Sequence, residues 1–213
     1  MSEILTFLIL AATTAAMSVN SSKPHVISET IEDLQFLSQL ADELLSDQER
    51  TIVTSVSFEG DKAELESLAA KLYADKHVQS PIDDNNGKKC SLVLQNRVSG
   101  LKALPAAESW MKDTVANLEK LGIVGFWNIS IEGWMIEGRE MSALLDPVLL
   151  YISAYEVESD QNGQQLYTSY YSGLFHNSVM AEDEKFNLQI LTNYSSEFKK
   201  WYMALGTPRI TSY

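Results

Sequence analysis

Residues 51–76 read TIVTSVSFEGDKAELESLAAKLYADK, and the reading of this stretch decides the fold. Its first eight residues are β-branched and aromatic with partial alternation, which predicts a strand. A Glu-Gly-Asp turn follows, after which Leu65, Leu68, Ala69 and Leu72 recur at three- and four-residue steps. That spacing predicts an amphipathic helix. The fold therefore opens as strand then helix.

Moving toward the C-terminus, residues 77–80 can form a short strand, PIDDNNG (81–87) a turn-rich loop, and KKCSLVLQNRV (88–98) a longer strand. Beyond Gly100 and Pro105, AAESWMKDTVANLEKLG (106–122) is a second amphipathic helix with Trp110, Met111, Val115, Leu118 and Leu121 on one face. Gly122 ends it. IVGFWNISIEG (123–133) then returns as a strand. The order β-α-β-β-α-β predicts an α+β fold, a ferredoxin-like βαββαβ sandwich with both helices on one face of the sheet.

Moving toward the N-terminus, Ser28 can cap a helix over ETIEDLQFLSQLADELLSDQ (29–48), where Ile31, Leu34, Leu37, Leu40, Ala41, Leu44 and Leu45 form the apolar stripe. Glu29, Glu32, Asp33, Asp42, Glu43, Asp47 and Glu49 are read as its other face, with Arg50 alone to balance them. The helix is expected to be a negative ridge. On base rates such a ridge is a solvated surface; a functional ridge needs a basic partner.

The remainder has a different pattern. GWMIEGRE (133–140) reads as a turn, while DPVLLYISAYEVES (146–159) and QQLYTSYYSGLF (164–175) read as strands joined by DQNG, whose Asn-Gly pair favours a tight hairpin. KFNLQILT (185–192) is a further strand. SSEFKKWYMALG (195–206) is expected to close the chain as a short helix, capped by Ser195 or Ser196 and stopped by Gly206, Thr207 and Pro208. The expected organisation is a hydrophobic segment over residues 1–22, the ferredoxin-like domain over 28–133, and a β-rich extension with a terminal helix over 134–213. With no long Pro/Gly/Ser linker between the last two, one continuous sheet or two tightly packed domains is expected.

Residues 4–19 carry no charge and are shorter than the about 20 needed to cross a hydrocarbon core. They fit a short anchor, a packed helix or a signal peptide, and the missing basic residues before them weigh against the last.

Function classes narrow by composition. The 213 residues hold 29 Asp and Glu against 16 Lys and Arg, a net charge of −13, which repels phosphate backbones and excludes direct nucleic-acid binding over most of the surface. The single cysteine, Cys90, cannot form an internal disulfide, and with His25, His77 and His176 it builds no zinc spacing. Within CSLVL its thiol reads as a small packed hydrophobe. Glu158, Asp160 and Asn162 before Gly163 carry part of a calcium-loop pattern, but the twelfth position is Ser169, so the stretch reads as a hairpin turn. No phosphate-cradling loop or nucleophile elbow is present. No catalytic, cofactor-binding or metal-binding residue is assigned, and the chain is read as no enzyme. Tyr and Trp gather in the C-terminal half, Trp127, Trp134, Tyr170, Tyr171 and Trp201 among them, and read first as sheet core.

The acidic helix ending ADELLSDQ, the segment TIVTSVSFEGDKAELESLAAKLY, the strand SLVLQNRV and the passage MKDTVANLEKLGIVGFWNISI together resemble the bacterial ribonuclease E inhibitor family, the regulator of ribonuclease activity B. The resemblance covers about residues 30–132. It departs where the family's last strand has a Tyr-Asp-Gly-Trp type ending: here Val124-Gly125-Phe126-Trp127 keeps only the Trp. It implies a non-enzymatic regulator that binds a ribonuclease or its RNA-degrading assembly; the expected location is the cytoplasm, where the apolar segment over residues 1–22 would supply any inner-membrane contact. Beside this stands the physical reading that Glu32, Asp33, Asp42, Glu43, Asp47 and Glu49 steer a basic protein surface onto the first helix. A toxin-neutralising immunity protein, exported to the periplasm, and an envelope-associated structural protein are the alternatives.

Overall fold

The computed structural model describes residues 27–46, 50–60, 62–72, 82–83, 90–138, 140–162, 164–181 and 184–210. The expected segment over residues 1–22, the short strand at 77–80, Asp47 and Glu49 lie outside the described residues. In chain order the elements are α1 (Ile27–Leu44), β1 (Thr51–Gly60), α2 (Lys62–Leu72), β2 (Ile82–Asp83), β3 (Cys90–Ser99), α3 (Ala103–Lys120), β4 (Phe126–Trp134), α4 (Met141–Tyr151), β5 (Tyr155–Asn162), β6 (Gln165–Tyr171), β7 (Val179–Ala181), β8 (Glu184–Phe186), β9 (Leu188–Ser195) and β10 (Lys200–Thr207). The fold is mixed α+β. One eight-stranded sheet runs β2-β3-β1-β4-β10-β9-β6-β5, and every pairing in it is antiparallel. A separate ribbon pairs β7 with β8.

The strand at residues 51–60 becomes a central strand because almost every side chain along it is buried on one face or the other. Ile52, Val56 and Phe58 join a single core with Leu37 and Leu44 of α1, Leu65 and Leu68 of α2, Met111 of α3 and Leu205 of β10. Val53 and Ser55, on the opposite face by alternation, are also buried. Gly125 lies hard against this strand: a Cβ there would stand 2.3 Å from Val56 Cγ2 and 2.7 Å from Phe58 Cε1, so the turn before β4 accepts only glycine. Trp110 of α3 meets Trp127 of β4 edge-on at 5.8 Å. The far face carries Arg97 paired with a buried Glu132, beside Tyr202, whose phenol burial and the Glu132 carboxylate hold far above the usual tyrosine range.

Two expectations for the C-terminal part are corrected. Residues 146–151 belong to a helix, α4, although they read as a strand. Leu144, Val148 and Ile152 recur every four residues toward the core, and this packing tolerates Pro147 inside the helix at the loss of one backbone donor. The helix ends on Ser153 at φ 49°, with Ala154 N donating to Leu149 O at 2.9 Å, and the chain turns into β5. β5 then pairs antiparallel with β6, from Tyr155↔Tyr171 to Asn162↔Gln165, as the expected hairpin requires.

The second correction concerns residues 195–206, expected as a terminal helix. Ser195 accepts from Phe198 N in a turn with Lys199 at φ 53°, and 200–207 is strand β10. It lies between β4 and β9, pairing Leu205 with Ile131 on one side and with Ile190 on the other. Trp201, Met203 and Leu205 face the helices while Ala204 and Gly206 pack on the far side, so both faces are apolar and the pattern mimics a helix. The sheet is thus continuous across the boundary expected at residues 133–134.

Because Leu205 is fully buried in the strand that joins the two halves, Leu205→Ala is expected to cost about 2–5 kcal/mol in urea unfolding. A peripheral terminal helix would lose far less.

Candidate functional site

Helix α1 lies over the middle of the sheet, in contact with α3, α4, β4 and β10. Its inward stripe is Thr30, Asp33, Leu34, Leu37, Leu40, Ala41 and Leu44, the three- and four-residue spacing of a one-sided helix. Its end is tied to the sheet by Ser46 N donating to Trp134 O at 2.8 Å and Ile136 N donating to Leu44 O at 3.2 Å. Gln35 donates to Glu108 of α3 at 2.8 Å. The outward side therefore has a fixed orientation.

The expected ridge residues separate. Glu32, Asp42 and Glu43 are exposed on that outward side, and Glu29 is half-buried. Asp42 pairs with Arg50, whose Nη2 also donates to Leu45 O at 2.9 Å. Asp33 corrects the expectation: it is 1% exposed and belongs to the inward stripe. Its spacing carried that signal, three residues after Thr30 and four before Leu37, but its charge argued for solvent.

A buried carboxylate needs donors. Asp33 Oδ1 accepts from His176 N and from His176 Nδ1, both at 2.9 Å, and Oδ2 accepts from Asn177 N at 3.1 Å and Asn177 Nδ2 at 2.8 Å. These bonds pin residues 172–177 onto α1. The same turn is held from behind by Ser172 Oγ donating to Ile152 O at 2.6 Å and by Asn187, whose side chain accepts from Ser172 N and donates to Ser172 O. Phe175 enters the core and meets the Phe36 ring at 5.2 Å. The His176 ring stays partly exposed, with Nε2 3.6 Å from the Glu32 carboxylate. The Asp33 hydrogen bond, with the nearby charges of Asp33, Glu29 and Glu32, holds this imidazole above the usual histidine range against a smaller opposing effect of burial.

Beside this anchor, Phe36, Gln39, Leu40 and Glu43 of α1 face Pro147, Val148 and Tyr151 of α4 across an open groove of about 370 Å³. Its floor is apolar. Among the aromatic residues, Trp127 and Tyr170 are core and Tyr171 is half-buried, but Tyr151 and Tyr155 are exposed next to this groove's helix. Sequence reasoning missed the groove because one of its two walls was read as a strand.

Among the described residues no group of three or more His, Cys, Asp or Glu side chains is placed to hold a metal ion, and no helix is long and apolar enough to cross a membrane. No protein-family model matches the chain, and no curated protein matches it.

Two outcomes follow from the Asp33 anchor. Asp33→Ala removes the carboxylate from four buried or half-buried donors and is expected to cost about 3 kcal/mol or more in urea unfolding. A raised folded-state His176 value means its stabilisation is complete below the unfolded value of about 6.5 and fades as pH rises through the higher folded one. Unfolding midpoints taken from about pH 5.5 to 8.5 should fall across that window in the wild type, and His176→Gln should flatten the slope.

Proposed function

We propose that the chain is a non-enzymatic protein regulator that acts by occupying a basic surface on another macromolecule. The observation that carries this reading is one-sided charge: residues 27–46 contain five acidic residues and no Lys or Arg, and Glu32, Asp42 and Glu43 project from a helix whose other side is locked into the core. An outward anionic face steers a cationic partner and raises its association rate, and it competes with the phosphate backbone that such a partner would otherwise hold.

The partner class is a ribonuclease or its RNA-degrading assembly, following the likeness of residues 30–132 to the ribonuclease E inhibitor family. The antiparallel order β2-β3-β1-β4, with α2 and α3 following β1 and β3, supports reading residues 28–133 as the ferredoxin-like unit that this likeness implies. The site in the cell is the cytoplasm, with residues 1–22 supplying membrane contact. Binding uses the chain's own carboxylates and needs no cofactor.

The test is binding to purified ribonuclease E in the presence and absence of RNA. Wild-type affinity is expected to fall steeply between about 0.05 and 0.3 M salt, since exposed charges are screened within about 10 Å at 0.1 M. The triple substitution Glu29→Lys, Glu32→Lys and Glu43→Lys, which spares the Asp42 and Arg50 pair, should weaken binding about tenfold or more and flatten the salt dependence. Unchanged affinity in that variant would remove the electrostatic reading.

A further inference from the structure

We infer that the groove between α1 and α4 is a docking site for an amphipathic basic helix of a partner protein, which seats apolar side chains on Leu40 and Val148 and sets Lys or Arg against Glu43. The inference rests on the reading of α1 as a partner-binding face and adds to it a shape and an apolar anchor.

Three observations converge. First, the groove is open, about 370 Å³, and lined by Phe36, Leu40, Pro147, Val148 and Tyr151 with a single carboxylate, Glu43, on its rim. That volume lies near the lower end of the roughly 300–1,000 Å³ range of binding clefts, room for one or two apolar side chains of a bound segment. Second, exposed apolar side chains lie on α4 and just after it. Among the described residues Leu150 is 81% exposed and Tyr151 75%, and Leu174 is carried on the turn that Ser172 ties to Ile152, just after α4. Isolated exposed hydrophobes are ordinary; one that lines an apolar groove, as Tyr151 does, marks an interaction surface.

Third, the two helices that wall the groove carry charge of one sign. Neither α1 nor α4 contains a Lys or Arg, and the acids along both helices and into β5 are Glu29, Glu32, Asp33, Asp42, Glu43, Asp146 and Glu156, of which Asp42 is paired with Arg50 and the buried Asp33 with His176. This selects the occupant. A second copy of the chain would bring the same carboxylates face to face, and an anionic lipid surface would be repelled. A helix with apolar residues at i, i+3, i+4 and i+7 and basic residues elsewhere satisfies both the floor and the rim. The floor is held still for it, because Phe36 is braced by Phe175 and the turn carrying Phe175 is pinned by Asp33.

The experiment measures fluorescence anisotropy of labelled 18-residue peptides on the full-length chain at about 0.15 M salt. One peptide places Leu at helical spacing among Lys, a second scrambles the same composition, and a third replaces Lys by Glu. The patterned Lys peptide should bind at least about tenfold tighter than the other two. Gln39→Trp fills the groove without altering a charge, and Tyr151→Ser trims its wall at an exposed position. Each should weaken the patterned peptide about tenfold and leave the scrambled one unchanged, with circular dichroism showing both variants folded. A photo-crosslinker at Gln39 should capture the patterned peptide.

Equal binding of patterned and scrambled Lys peptides, both weakened by Glu43→Lys, would overturn the groove while sparing the electrostatic reading. Failure of every Lys peptide to bind would overturn both. Capture of residues 4–19 or of a second copy by the crosslinker, or equal binding to phosphatidylglycerol vesicles, would assign the groove to another occupant and overturn the inference.

Discussion

The rest of the structure depends on the pairing of β10 with β4 on one side and β9 on the other. Each edge strand left open presents a row of unpaired backbone groups, and β10 closes two such edges at once. Its Met203, Ala204 and Leu205 are each at most 1% exposed, so the strand is buried on both faces as well as paired along both edges. Gly206 allows the chain to fold back immediately afterwards: a Cβ there would stand 2.6 Å from Ile210 N. Ile210 N then donates to Gln189 on β9 at 3.1 Å, which fastens the segment after β10 to the neighbouring strand. The sheet is one object because of this late segment.

That continuity is what gives α1 its place. The helix lies where β4 and β10 meet, and its C-terminal end is bonded to the backbone at residues 134 and 136. Leu34, Leu37, Ala41 and Leu44 are fully buried beneath it. A helix held by so complete an inward stripe cannot rotate to hide its outward carboxylates. The same packing brings α4 alongside and creates the groove between them.

The two kinds of acid on α1 illustrate how environment separates residues of identical chemistry. Asp33 is desolvated, and four donors from His176 and Asn177 replace its water, so it acts as a clamp between α1 and the turn after β6. Glu32 and Glu43, one residue before Asp33 and ten after it, remain in water and set the field a partner would meet. The His176 ring joins the two sets, bonded to Asp33 through Nδ1 and close to Glu32 through Nε2. A charge on a sequence says nothing about which of these roles it takes until the donors are known.

What the sequence by itself determined was everything governed by local period and local turn chemistry. The strands read at 51–58 and 123–133 are legible from their β-branched and aromatic composition, the helices read over 29–48, 61–76 and 106–122 from apolar residues at three- and four-residue steps, and the β5–β6 hairpin from its turn residues. The acidity of α1 and the lack of disulfide and zinc spacings follow from counting alone. Tertiary structure decided the rest. Residues 146–151 read as a strand, yet packing imposes a helix with Pro147 inside it, and residues 200–207 lost their alternation because a central strand is apolar on both faces. Asp33 turned inward because donors 143 and 144 residues away came to meet it, and the groove exists only because α1 and α4, far apart along the chain, lie side by side. Local signals report the contrast between protein and water; where an element is surrounded by protein on every side, that contrast vanishes and only the folded whole assigns its role.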